Sequence, residues 1–263
     1  MSVPQTELVA VDLSQLELRI AAYCSRDPLM MKILRDGADM HLVTAAGIYD
    51  RDPHLCLNKP HPCPRPGCTS AMRKSGKVGN FLVQFGGGPT KFIEGVEKLV
   101  LESPEEGLVI PTMAEARHVI NTHQRLYKQY WKWTTWTKMR AEELGYAETV
   151  FGRPRYLPDL RSPYEDLREA AGRQAVSEAI QGTAADLVKQ AMVNIANDVE
   201  MSTKGAMLLQ VHDEIVSTVF DKSWTMWYAE RLQKHMCLGQ PFEPYVELIA
   251  DAGHGSNWKD IHK

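Results

Sequence analysis

The feature that most constrains this chain is Leu8 to Ile20, LVAVDLSQLELRI, where an apolar run ends in an acid and passes at once into a helical pattern. Leu8, Val9, Ala10 and Val11 have the continuous apolar character of a short buried strand. Asp12 places a carboxylate at the strand's end. Ser14 and Glu17, followed by Leu16, Ile20 and Ala21 on one face, predict a helix start closed by a capping box. An acid held between a strand and a helix is well placed to bind a cation, although Asp is also a common turn residue.

The 263 residues suffice for one large domain or two small ones. No apolar run approaches the roughly 20 residues of a membrane span. MSVPQTE lacks the basic and apolar regions of a signal peptide. Five cysteines, an odd number, fit reduced thiols in a cytoplasm rather than a disulfide framework. The formal charge of −3 gives no whole-surface attraction to nucleic acid. A basic stretch containing Arg117, Arg125, Lys128, Lys132, Lys138, Arg140, Arg153, Arg155 and Arg161 remains compatible with phosphate contacts.

Helical patterns follow through Met30–Gly37, Leu42–Tyr49, from Arg73 until Pro89 breaks the pattern, Glu94–Leu101 and Met113–Leu144. Residues 50–70 are crowded with proline and should be irregular. From Gly145 strands return. Tyr146–Val150 and Arg155–Leu157 around Gly152 read as a hairpin. Thr183 is expected to cap a helix carrying Leu187, Val188, Ala191, Met192 and Ile195. Strands over Ala206–Val211 and Ile215–Phe220 flank His212-Asp213-Glu214, a helix runs from Trp224 to Met236, and Tyr245–Ala250 closes the chain as a strand. The class is α+β.

Three later stretches carry chemistry. Arg73, Lys77, Phe81 and Phe85 recur every four residues, each step leaving about 40° beyond a full helical turn, so they wind slowly along one face. Two cations suit phosphates and two rings suit a base; a snorkelling amphipathic helix is the plainer reading. The other two are RQAVSEAIQGTAAD, Arg173 to Asp186, and LQVHDE, Leu209 to Glu214.

Together with the Asp12 segment and in this order, these motifs resemble the polymerase core of the DNA polymerase I family (family A), including its phage members, from about Val9 to His262. The resemblance implies a palm, an antiparallel sheet with helices, over 1–25 and 145–263, and helical fingers over 26–144 containing the 50–70 loop. It implies template-directed DNA synthesis, with deoxynucleotides transferred to a primer 3′ end by two-metal-ion catalysis using Mg²⁺. Asp12 and Asp213 match the catalytic carboxylates and, with the backbone of Leu13, the metal ligands. Glu214 matches a supporting acid. Ser14, Gln15, Glu17, His41, Arg73, Lys77, Phe81 and Phe85 match nucleotide contacts. Lys77 also belongs to the catalytic set, and Glu17 is the steric gate against a ribose 2′-hydroxyl. Arg173, Gln181 and His212 match contacts to the primer–template.

The pattern departs from the family at Leu13 and Phe85, where Tyr is usual, at Ser177 for Asn, and at Ala179 for Pro. Gly76 and Gly79 weaken the fingers helix by roughly 1 kcal/mol each relative to Ala. The segment with His54, Cys56, His61, Cys63 and Cys68 has no family counterpart and reads either as a structural zinc site on Cys56, His61, Cys63 and Cys68 or as a proline-stiffened loop. With only eleven residues before Asp12, thumb, exonuclease and early palm portions are expected to be absent. A second polypeptide is then expected to supply the thumb and remaining palm. The partners implied are primer–template DNA and deoxynucleoside triphosphates, and the setting is the cytoplasm of a bacterial or phage-infected cell. The competing readings are a non-catalytic DNA-binding remnant and a single-subunit RNA polymerase palm.

Overall fold

The computed structural model describes residues 6–49, 70–84, 86–102, 104, 109–238, 241–242 and 244–262, with backbone alone for 70–72 and 81–84. The Cys56–Cys68 segment and Phe85 lie outside the described residues. In chain order the elements are β1 (Glu7–Leu13), α1 (Leu16–Ser25), α2 (Pro28–Arg35), α3 (Met40–Ile48), α4 (Ser70–Gln84), α5 (Pro89–Glu102), α6 (Met113–Leu126) and α7 (Lys128–Leu144). There follow β2 (Tyr146–Glu148), β3 (Pro154–Tyr156), α8 (Glu165–Ser177), α9 (Thr183–Ala196), α10 (Val199–Lys204), β4 (Gly205–Val211), β5 (Glu214–Val219), α11 (Thr225–Cys237), β6 (Ala250–Gly255) and α12 (Trp258–Ile261). The mixture is the expected α+β. No described helix is long and apolar enough to cross a membrane.

The chain divides into two compact units. The first comprises residues 1–21, 148–154 and 178–263, and the second 22–147 and 155–177.

In the first unit an antiparallel sheet runs in the order β4-β5-β1-β6. The apolar run of β1 makes it a central strand. Val9 and Val11 are wholly buried. On the opposite face Leu8, Ala10 and Val216 pack with Ile261 of α12. That helix lies almost on the β6 backbone, since a Cβ on Gly253 would meet Ile261 O at 2.0 Å. Glycine is required there, and the Asn257 side chain starts α12 by accepting from Asp260 N at 3.2 Å.

In the second unit α3 is buried along its whole length, as its mostly apolar sequence implies. α4 crosses it closely, because a Cβ on Gly76 would lie 2.1 Å from His41 O. The helix-weakening glycine is therefore a packing requirement. Asp27, buried, accepts from Leu29 N and Met30 N through Oδ1 and from Gln129 N and Tyr130 N through Oδ2. One carboxylate thus caps both α2 and α7.

Four local expectations are corrected. Ser14–Glu17 cannot form a capping box, since Gln15, which would be the first helical residue, has φ +52; the box occurs at Thr112–Glu115 instead. Thr183 caps nothing. It is buried inside a helix that runs through a π-turn at Glu178–Gly182, and its hydroxyl donates back to Ala179 O. Pro89 opens α5 rather than ending a helix, its fixed φ suiting a first turn. The last strand is Ala250–Gly255, later than Tyr245–Ala250, because pairing with β1 requires the small residues that let α12 approach.

Candidate active site

Asp12 sits near the end of β1, opposite Glu214 of β5 on one side and Asp251 of β6 on the other. Side chains directly opposite in a sheet share a face, so three acids form a row across three strands on the face that α12 covers. Asp213 joins them from the two-residue turn linking β4 to β5. His212 takes a left-handed φ of +53 in that turn, a conformation costing about 1 kcal/mol for a residue with a side chain. Leu13 N donates to Asp213 O at 3.3 Å and ties the turn to β1.

Asp213 lies close enough to Asp12 to act on its ionisation, and both line the same cavity. Burial pushes the Asp12 carboxyl up to about 6, and the charges of Asp213, Glu214 and Asp251 push in the same direction. The acids line an open cavity of about 440 Å³. A histidine reaches them. His262 donates from Nε2 to Glu214 Oε1 at 2.8 Å and from Nδ1 to Trp258 O at 2.9 Å. Both partners are acceptors, an arrangement that favours the protonated ring. The Trp258 bond is the main cause of its raised pKa, and Glu214 adds to it.

The donor set fits a hard divalent cation. Crowded carboxylate oxygens with a raised Asp12 signal excess negative charge, which such an ion relieves. Among the described residues no three acidic, His or Cys side chains form a ready-made metal cage. A two-carboxylate site leaves its remaining positions to backbone carbonyl, water or phosphate oxygen, which suits Mg²⁺.

Glu17 lies beside this row. Gln181 Nε2 donates to Glu17 Oε1 at 3.2 Å. Burial raises the Glu17 pKa, with Asp213 pushing the same way and Gln181 opposing. Gln181 reaches Glu17 from the π-turn, a device common at functional sites. Arg153 braces that turn, bonding Gly182 O at 3.2 Å and pairing with Glu178 at 3.0 Å and Asp186 at 2.7 Å. Arg19, buried, donates to Ser14 O at 2.7 Å and to Glu247 O at 2.6 Å, fixing the bend before α1. At that bend Gln15 Oε1 is buried with no hydrogen-bond partner among the described residues.

The second unit carries its own polar cluster. His41 of α3 is buried, whereas Lys77 of α4 is exposed. Arg73 Nε donates to Asp39 Oδ2 at 2.6 Å. The other Asp39 oxygen caps α3 through His41 N and Leu42 N. Burial opposes ionisation of Asp39, but the Arg73 bond and charge outweigh it and hold its pKa below the ordinary value. Burial pushes the His41 imidazole down to about 4, and Arg73 and Lys77 reinforce this against Asp39. His41 is therefore neutral near pH 7. Arg173, on α8, pairs with Glu169 at 3.6 Å and lies against Gly86, where a Cβ would come within 2.8 Å of its side chain.

Asp12, Asp213, Glu214, Glu17, Gln181 and His212 thus share the first unit, while His41, Arg73, Lys77 and Arg173 belong to the second. Sequence reasoning missed Asp251, His262 and Asp39, and put Arg153 in a basic stretch suited to phosphate rather than on the π-turn it braces. For Asp251 the signal was available once β6 was set in register with β1, since it then stands opposite Asp12.

The family-level comparison decides the class. The model of DNA polymerase family A matches residues 1–260. This chain belongs to family A. It is 35% identical to the thermostable DNA polymerase I of Thermus aquaticus over 95% of its own length and 27% of that protein. It is 33% identical to DNA polymerase I of Pseudomonas aeruginosa over 97% of itself and 25% of that protein. Among solved structures it superposes with a TM-score of 0.81 and 25% identity on the POL domain of Pol1 from M. smegmatis in complex with DNA primer-template and dNTP, covering 100% of this chain and 41% of that one. This family A chain spans about a quarter of the length of the curated relatives it matches.

Proposed function

We propose that this chain carries the nucleotidyl-transfer centre of a template-directed DNA polymerase, adding deoxynucleotides to a primer 3′ end. The observation that carries the reading is the Asp12–Asp213 pair, two interacting carboxyls that line one cavity with a row of acids on a family A sheet. Asp12, Asp213 and the Leu13 backbone carbonyl would hold two Mg²⁺ ions, whose charge favours the alkoxide of the primer hydroxyl and offsets negative charge on the attacked phosphate. His262 holds Glu214 in place and keeps its charge paired, so that Asp12 and Asp213 remain the oxygens available to cations. Glu17, oriented by Gln181, occupies the volume a 2′-hydroxyl would need. Ser14 and Gln15 contribute to the nucleotide site at the bend that Arg19 fixes. Arg73, Lys77 and neutral His41 donate to triphosphate oxygens, Lys77 as an ammonium able to lend its charge to the departing pyrophosphate. Phe81 and Phe85 provide rings for the base. Arg173, Gln181 and His212 contact the primer–template, reading duplex geometry through the degenerate minor groove.

The same reading includes a second polypeptide seated against the sheet. β4 is an outer strand, and Leu208, Leu209 and Val211 are exposed on it. An apolar sheet edge of this kind is ordinarily covered.

Primer extension with Mg²⁺ and either deoxy- or ribonucleotides tests the reading. Deoxynucleotide incorporation supports it. Preference for ribonucleotides would make the chain an RNA polymerase palm, and template binding without incorporation would make it a remnant. Gel filtration with the extension assay tests the second polypeptide, since processive synthesis by a clean monomer excludes it.

A further inference from the structure

Behind His41 lies a chain of buried polar groups that the sequence motifs do not mark. Asn80 Nδ2 is 3.0 Å from His41 Nδ1, and Asn80 Oδ1 is 2.7 Å from Thr44 Oγ1. Thr44 Oγ1 is in turn 2.8 Å from the Tyr127 hydroxyl. Thr44 and Asn80 are essentially inaccessible to solvent, at 0% and 1%, and Tyr127 is 1% exposed. Groups so deeply buried are costly to leave unpaired, so their protons must be arranged consistently.

Thr44 Oγ1 also lies 2.9 Å from Met40 O, a second acceptor for its one proton; two polarities then satisfy the chain, and the shorter 2.7 Å contact to Asn80 chooses between them. If Thr44 donates to Asn80, the 2.7 Å contact is an O–H···O bond of ordinary length; if the Asn80 amide donates to Thr44, it is an N–H···O bond shorter than the usual 2.9–3.0 Å. With Thr44 donating, Tyr127 must supply the proton that Thr44 accepts. Asn80 then turns its NH₂ toward His41, and at 3.0 Å this is an ordinary N–H···N bond.

We infer that Asn80, oriented by Thr44 and Tyr127, is the positioning residue that fixes His41 in the tautomer with its proton on Nε2. The order of donation is Tyr127 to Thr44 to Asn80 to His41 Nδ1. A neutral imidazole accepting at one nitrogen must carry its proton on the other. The ring therefore presents an N–H rather than a lone pair, and its orientation is locked from behind. This deepens the proposal above, in which His41 donates to a triphosphate oxygen, because that role requires a donor. A lone pair facing an anionic oxygen would repel it.

The test is two-bond ¹H–¹⁵N correlation NMR on the full chain with ¹⁵N-labelled histidine, the His41 signals identified by their loss in His41→Gln. The expected spectrum shows a protonated Nε2 and an unprotonated Nδ1. Asn80→Leu and the isosteric Thr44→Val should each mix the tautomers, while Thr44→Ser should restore the wild-type pattern. A protonated Nδ1 in the wild type, or an unchanged tautomer in both variants, overturns the inference; the wild-type spectrum decides even if a variant fails to fold. In primer extension, Asn80→Leu should raise the deoxynucleotide KM roughly 10-fold, with primer–template affinity unchanged. A shifted tautomer with an unchanged KM would leave the relay standing and remove His41 from the nucleotide site.

Discussion

Gln181, held in a π-turn, donates a 3.2 Å hydrogen bond to Glu17, which stands beside the Asp12–Asp213 pair. An amide that pins one carboxylate oxygen restricts where the side chain can lie, and a steric gate works only if its position is restricted. Sugar discrimination should therefore depend on two residues 164 positions apart in sequence. Glu17→Ala is expected to raise ribonucleotide incorporation relative to deoxyribonucleotide by roughly 10- to 100-fold. Gln181→Met should produce a smaller rise in the same direction. Competitive incorporation assays with both sugars measure this, and a Glu17→Ala variant with unaltered selectivity would take the gate away from Glu17.

Arg153 supports the same turn through Glu178, Asp186 and Gly182 O. Arg153→Leu leaves Glu178, a buried acid, without that cation, so the π-turn should loosen. The expected result is a drop in thermal stability together with a loss of sugar discrimination resembling that of Gln181→Met. Loss of stability with intact discrimination would show that the turn does not depend on Arg153.

The central strand, its terminal acid and the acid-bearing hairpin were legible because each rests on local pattern: an apolar run, a turn residue, alternation. The capping box at Ser14 was not, because Arg19 and the Ile249 carbonyl pull the chain into a bend that local sequence does not encode. Thr183 reads as a cap because it stands before the Leu187–Ile195 pattern, but a π-turn carries the helix straight through it. The Ala-Asp-Ala-Gly-His-Gly sequence of β6 has no β-branched residue to mark a strand, and its pairing is dictated by β1 and the close approach of α12. Asp251 reaches Asp12 only through the β1–β6 register, and His262 reaches Glu214 only through the seating of α12 on the sheet. Asn80 and Thr44 carry no local signal, because they meet only when α3 and α4 pack together.

Asp27 should be unusually sensitive for a capping residue, since its two oxygens serve four backbone N–H groups at two helix starts. Losing one cap costs about 0.5–2 kcal/mol, and here two are lost at a buried position. Asp27→Ala is expected to destabilise the protein by about 2–4 kcal/mol, read as a lowered midpoint in thermal or denaturant unfolding. A shift no greater than that of an exposed single cap such as Thr112→Ala would contradict the double role.

His123 predicts an acid limit to stability. It is buried, its Nδ1 accepts from Trp131 Nε1 at 3.1 Å, and burial pushes its pKa down to about 3. The unfolded group has a pKa of about 6.5. Between these values the unfolded chain binds a proton that the folded state refuses, so stability falls as pH drops below about 6.5 and levels off only near the folded value. His41, pushed down to about 4, acts in the same direction. Unfolding midpoints from pH 7.5 to 4.5 should fall steadily for the wild type and less steeply for His123→Gln, whatever its stability at neutral pH. Parallel slopes would assign the acid sensitivity to other groups.

The Asp12–Asp213 pair carries the sharpest expectation, and its logic separates chemistry from binding. Asp12→Asn and Asp213→Asn each preserve shape while removing a charge, so the sheet and the hairpin turn should survive. Two effects then oppose each other. Removing one acid relieves the repulsion that raises Asp12, which favours folding, so either variant should be at least as stable as the wild type. The same change removes an oxygen donor from the proposed Mg²⁺ site, and a loss of about 4 kcal/mol in transition-state stabilisation corresponds to a rate lower by about 10³-fold. Primer–template affinity should be unchanged or slightly tighter, because a negative charge has been taken from a surface that faces phosphates. Extension rates, duplex binding by anisotropy and thermal unfolding, measured on the same samples, distinguish these effects. A variant that is stable, binds duplex and still extends primers near the wild-type rate would remove its carboxylate from the catalytic pair; a variant that is inactive because it is unfolded would instead assign these acids a structural role.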